Sequence, residues 1–144
     1  MLAFFSTGVE RLRTLLEEKM ADDAVDPRTK LLEIVYTHYD WINSAEDLYY
    51  FESAAFWGRN PEFRTMREKW YQRMARHHRT LIQQIHPQWQ RKQCDDASFQ
   101  LMTLILGGWT TMGNTRPFHR TRSKKALKAI LLAGVEKLIS ETSK

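Results

Sequence analysis

Residues 58–85 read GRNPEFRTMREKWYQRMARHHRTLIQQI, a hard break followed by one long amphipathic helix. Each residue of the break has a mechanical role. Gly58 is able to take the left-handed conformation that ends a helix. Asn60 is a good cap for the next one, and Pro61 suits its first turn, where a missing N–H costs nothing. Phe63, Met66, Trp70, Met74, His77, Leu81 and Ile85 then recur at spacings of three and four, which predicts one buried helical face. About 25 residues at 1.5 Å each make a helix of roughly 37 Å, longer than is usual in globular domains.

Upstream and downstream, the same punctuation divides the rest of the chain into five further helices. A first runs from about Ser6 to Ala21, with Val9, Leu12, Leu15, Leu16 and Met20 as its apolar stripe. Asp26-Pro27 opens a second as cap and first-turn proline, with Leu31, Leu32, Val35, Tyr39 and Ile42 inward. Ala45 to Trp57 is a short, aromatic-rich third helix, and the long helix is the fourth. Asp95-Asp96 starts a fifth after a polar connector, its apolar positions including Phe99, Met102, Leu106, Trp109 and Met112. Gly113-Asn114 and Pro117 stop it, and Ser123 caps a sixth that continues to about Ser140. With no sustained alternation of apolar and polar residues, the expectation is an all-α, single-domain bundle of about six helices over residues 1–144.

The composition excludes several classes. At 144 residues and 42% hydrophobic, the chain is long enough for one real core and is not disordered. The single Cys94 rules out an internal disulfide and a multi-thiolate zinc site, which suits a cytoplasmic setting. Residues 1–5 lack the basic lead of a signal peptide, and no stretch approaches the roughly 18 apolar residues of a membrane span. The net charge of +5 is local. Residues 97–135 contain no acid and carry Arg116, Arg120, Arg122, Lys124, Lys125 and Lys128. Subtracting those six from the 22 bases leaves 16 against 17 acids.

The last two helices are greasier than one core-facing stripe requires. Residues 99–109 are apolar nearly all round, and Gly107 and Gly108 each weaken a helix by about 1 kcal/mol relative to Ala. Self-association explains both the excess and the glycines, which permit close approach of another helix. A fully buried central helix with a kink is the alternative. The self-association reading places Leu106, Gly107, Trp109, Leu127, Ile130, Leu131, Gly134 and Leu138 at a homodimer interface.

This order of elements resembles the C-terminal domain of tetracycline-repressor (TetR) family transcriptional regulators. The likeness lies in Asp26-Pro27-Arg28 opening one helix and Asp47-Leu48-Tyr49 opening a short one. Gly58-Arg59-Asn60-Pro61-Glu62-Phe63 and Arg67-Glu68 follow, and then come the apolar Leu101–Trp109 helix and the final Leu127–Ile139 helix. It spans residues 10–140 or so. The resemblance implies a helical domain with an internal effector pocket that dimerises through its last two helices, beside an N-terminal helix-turn-helix that reads DNA. The effector-type helices begin almost at once here, with Phe4-Phe5-Ser6-Thr7-Gly8 a worn remnant of the usual connection. The expectation is a headless chain, either a truncated regulator or a free-standing interaction module, that meets DNA only through a domain it does not carry.

The effector must then be recognised by apolar walls and a few polar groups. Tyr36, Tyr39, Trp57, Trp70, Met74, His77, Met102 and Thr103 supply them, each also readable as an ordinary core residue. A small apolar or aromatic ligand near Trp70, Met74 and His77 is the expected occupant. Other chemistry has little support in the residues. His77-His78 point about 100° apart on a helix and chelate one ion poorly, no Glu precedes a His by three residues, and no metal or cofactor is expected. Nucleophile elbows and phosphate loops are missing, and acids beside Cys94 discourage a thiolate, so no enzyme is expected. Arg116, Arg120, Arg122 and Lys124 are a candidate phosphate-binding patch or a solvated loop, and a basic nucleic-acid-binding bundle is the least favoured alternative.

Overall fold

The computed structural model describes residues 2–42, 60–112 and 123–140, and among them all regular structure is helical. Five helices follow one another: α1 (Leu2–Ala21), α2 (Pro27–Ile42), α3 (Pro61–Ile85), α4 (Arg91–Met112) and α5 (Lys124–Ser140). The sixth expected helix, Ala45–Trp57, falls on 43–59, outside the described residues, so five described helices stand where six were expected. No described helix is long and apolar enough to cross a membrane.

The capping chemistry explains where the elements start. Asn60 is extended and its Oδ1 accepts from the N–H groups of Glu62 and Phe63, with Pro61 in the first turn. Asp26 Oδ1 accepts from Arg28 and Thr29, and the Ser123 hydroxyl from Ala126, so both other expected caps are in place. Two starts lie earlier than expected. α1 begins at Leu2, with Ser6 and Thr7 inside it; nothing from Leu2 to Phe5 breaks a helix. α4 begins at Arg91 rather than at Asp95. Gln90 N–H donates 2.7 Å to Gln93 Oε1 while Cys94 N–H donates to the Gln90 carbonyl, half of a capping box written with an unusual cap residue.

The bundle is organised around α2, which packs on each of the other four helices. Its buried side is therefore broader than one stripe, and Leu31, Ile34, Val35, His38 and Tyr39 are all inside. α3 packs most extensively on α4, and α4 on α5. Small residues set that α3–α4 distance: Ser98 is buried and its hydroxyl donates 2.9 Å to the Ala75 carbonyl, beside fully buried Cys94. One core runs through Leu12, Leu16, Leu31, Met74, Leu81, Leu101, Ile105 and Val135. At roughly 1.5–3 kcal/mol for each large side chain taken from water, this core dominates the stability.

Three corrections to the expected faces follow from the packing. Leu15 is 41% exposed because α1 meets only α2 closely, leaving the flank of its stripe outside. On α3 the buried histidine is His78, not His77: both fit a 3.6 period after Met74, and α2 decides for the i+4 position. Phe99 is 73% exposed, since α4 turns Cys94, Ala97, Ser98 and Leu101 inward. Small inward residues do not read as an apolar stripe.

The last turn of α5 is tied back to the corner between α3 and α4. His86 is stacked on Trp89 at 4.0 Å, and its Nε2 is 2.6 Å from the Ile139 carbonyl of α5. A carbonyl only accepts, so Nε2 carries the proton. Gln83 Nε2 approaches the carbonyls of His86, Pro87 and Trp89 at 3.2–3.3 Å, and Gln83 Oε1 accepts from Cys94 Sγ at 3.2 Å. One amide thus holds the whole α3–α4 corner.

Candidate functional site

Trp70, Met74 and His78 follow one another at intervals of four residues, so they line one side of α3. Opposite them α2 contributes His38, whose ring meets the Trp70 ring edge-on at 6.0 Å and 88°. Met74, His38 and His78 are fully enclosed and Trp70 is half-buried. On its outer side Trp70 also walls a recess of about 500 Å³ between α1 and α3, together with Val9, Met66 and Arg73.

The polar groups here are unusual. Both ring nitrogens of His78, and His77 Nε2, are buried with no protein hydrogen-bond partner among the described residues. Native proteins rarely leave such atoms unsatisfied; each typically costs about 1–3 kcal/mol. Burial pushes the His78 imidazole down to about 3, with His38 and His77 nearby adding to the shift. His38 is lowered to about 4 by burial alone. His77 is lowered too, chiefly by burial, against the pull of Glu17. The centre is therefore a neutral, apolar interior containing imidazoles with open hydrogen-bonding capacity. No group of three or more metal-ligating side chains forms among the described residues.

The other expected ligand residues do not converge on it. Tyr39 is buried at a separate contact with Leu127 and Leu131 of α5. Tyr36 is 42% exposed and already engaged: Lys128 Nζ lies 3.1 Å from its ring centre and 2.6 Å from Asp40 Oδ1. Met102 and Thr103 line a different groove, between α3 and α4, and the Thr103 hydroxyl donates to its own helix at Phe99 O. Trp57 lies outside the described residues. His38 and His78 are the members that the sequence reading missed. His78 was legible only as one of two adjacent histidines.

The expected dimer residues are divided as well. Leu127 and Leu131 are buried within the chain against Tyr39 and Leu104, while Ile130 is 51% exposed. Gly134 faces Leu104, whose methyl carbons would lie 3.8–3.9 Å from a Cβ there, an ordinary van der Waals contact, so the packing of α4 on α5 does not require a glycine at this position. At Gly107 a Cβ would meet nothing within 4 Å. Leu106 and Leu138 pack partly against the core. The side chains of Trp109, Arg116, Arg120, Arg122 and Lys124 lie outside the described set.

Cys94 is fully buried, and burial and Asp95 push its thiol up, away from the reactive thiolate. Compared with known protein families, with characterised proteins and with solved structures, the chain matches none.

Proposed function

We propose that this chain is the ligand-sensing and dimerisation domain of a TetR-like regulator, working through binding and not chemistry. A small, uncharged apolar or aromatic effector is received against Trp70, Met74 and His78. The observation that carries this reading is His78, fully buried beside an aromatic wall, with no protein hydrogen-bond partner for either ring nitrogen among the described residues. A core histidine kept only for packing gains nothing from that state, because an apolar side chain of similar size avoids the desolvation cost. A ligand with one hydrogen-bonding group and an apolar body gives the imidazole its missing partner. Because His78 stays neutral at physiological pH, it offers one donor and one acceptor and no charge.

The dimer in this reading forms through α5 and the flank of α4 beside it, away from α3, with exposed Ile130 at its centre. In a regulator carrying a DNA-reading domain, effector binding then shifts the populations of two dimer arrangements. The test is thermal stabilisation of the purified chain by neutral ring-containing compounds. Trp70→Ala is expected to abolish it while the dimer mass in sedimentation stays the same. Undiminished stabilisation of that variant would contradict the assignment.

A further inference from the structure

A groove runs between α3 and α4, apart from the histidine centre. Its volume is about 620 Å³, within the range of small-molecule pockets. Ala75 and Ser98, joined by the 2.9 Å hydrogen bond, let the two helices approach and keep its floor low. Towards one end Tyr71, Met102 and Leu106 make most of the wall, with Gln72 and Thr103 as its polar members and Phe99 standing 73% exposed at the edge. Such an exposed ring beside an open trough has a hydration cost that an apolar ligand removes.

The charge of the groove is one-sided. Two guanidinium groups, Arg76 and Arg79, line it from α3, against a single carboxylate, Asp95. Asp95 is taken up by Arg79 at 3.0 Å and by Arg91 at 3.8 Å. Arg76 is exposed and has no carboxylate partner among the described residues. The α4 wall offers none beyond Asp96, because residues 97–135 contain no acid. From Phe99 to Leu106 the α4 wall, polar only at Thr103, spans seven residues, roughly 10 Å along the helix.

We propose that this groove binds a monomeric amphiphilic anion, a medium-chain carboxylate. Its head group pairs with Arg76, and its tail lies over Phe99 and Met102 towards Leu106. Guanidinium is the side chain best shaped for a carboxylate, and the apolar side chains of the trough cover one side of the tail. The site goes beyond the effector reading above, since none of Trp70, Met74 or His78 lines it.

The test titrates the full chain with decanoate below its micelle concentration, followed by calorimetry and by the ¹³C signal of the Met102 methyl. Decyltrimethylammonium serves as the probe of opposite charge. Decanoate is expected to bind one saturable site that shifts Met102, at least tenfold more tightly than the cation. Arg76→Glu should weaken decanoate at least tenfold and reverse the preference, and Phe99→Ser should weaken both probes with the helical circular dichroism unchanged. Trp70→Ala should leave decanoate binding intact, so the two sites fail or stand separately. Absence of saturation, equal affinity for both head groups, unaltered binding by Arg76→Glu, or binding only to phosphatidylglycerol vesicles would each overturn the proposal.

Discussion

His78 makes the most specific demand on experiment of any residue here. The folded chain holds it neutral down to about pH 3 and His38 to about 4, whereas in the unfolded chain both titrate near 6.5. Below pH 6.5 the unfolded state therefore binds more protons, so stability is fully present above that value and lost as pH falls towards 4 and 3. Each histidine contributes a slope of up to about 1.4 kcal/mol per pH unit in this window. Urea denaturation at pH 7, 6 and 5 is expected to show that fall, and His78→Leu to remove about half of it. At pH 7 the same variant should be as stable as the native chain or more so, by up to a few kcal/mol, since two orphaned nitrogens are gone. A large loss at neutral pH would mean that the imidazole has a partner after all. Lys128 is the other residue whose role exceeds its charge. Between the Tyr36 ring and Asp40 it ties α5 to α2, so Lys128→Met should cost roughly 1 kcal/mol in the same assay.

At the scale of the helices, local chemistry was legible and lateral packing was not. Asn60, Asp26 and Ser123 announced their helices because a cap is written within three or four residues. The α4 start was missed because Gln90 and Gln93 achieve the same end with side chains that rarely cap. The faces were harder. Choosing between His77 and His78, or seeing that Cys94, Ala97 and Ser98 face inward while Phe99 does not, requires knowing where the neighbouring helix lies. Periodicity fixes that only to about one residue. Two variants test the elements themselves. Asn60→Ala should destabilise by about 1 kcal/mol through its cap. Gln83→Ala should raise amide exchange across residues 86–94, the corner that its side chain holds, well before global unfolding. Protection there equal to the native chain would show that the corner is kept by other contacts.

For the whole molecule, the all-helical bundle was readable from residue pattern, and its centre on α2 was not. α2 looks like any amphipathic helix of 16 residues, and its contact with all four others is a property of the assembled fold. Likewise the expected ligand residues separated into a histidine centre, an α3–α4 groove, a buried contact of Tyr39 with α5 and a cation-occupied Tyr36, because side chains of similar chemistry lie on different faces. The dimer is tested at this scale by sedimentation equilibrium. The native chain is expected at twice 17.1 kDa, and Ile130→Glu at the monomer mass with its circular dichroism intact. Sensing by the bundle is read out in thermal melting against a panel of neutral aromatic and apolar compounds, on the native chain and on Trp70→Ala. For a sensor, at least one compound is expected whose stabilisation of the native chain rises with the logarithm of its concentration and vanishes in the variant. Stabilisation of both proteins alike, or of neither by any compound, would contradict it.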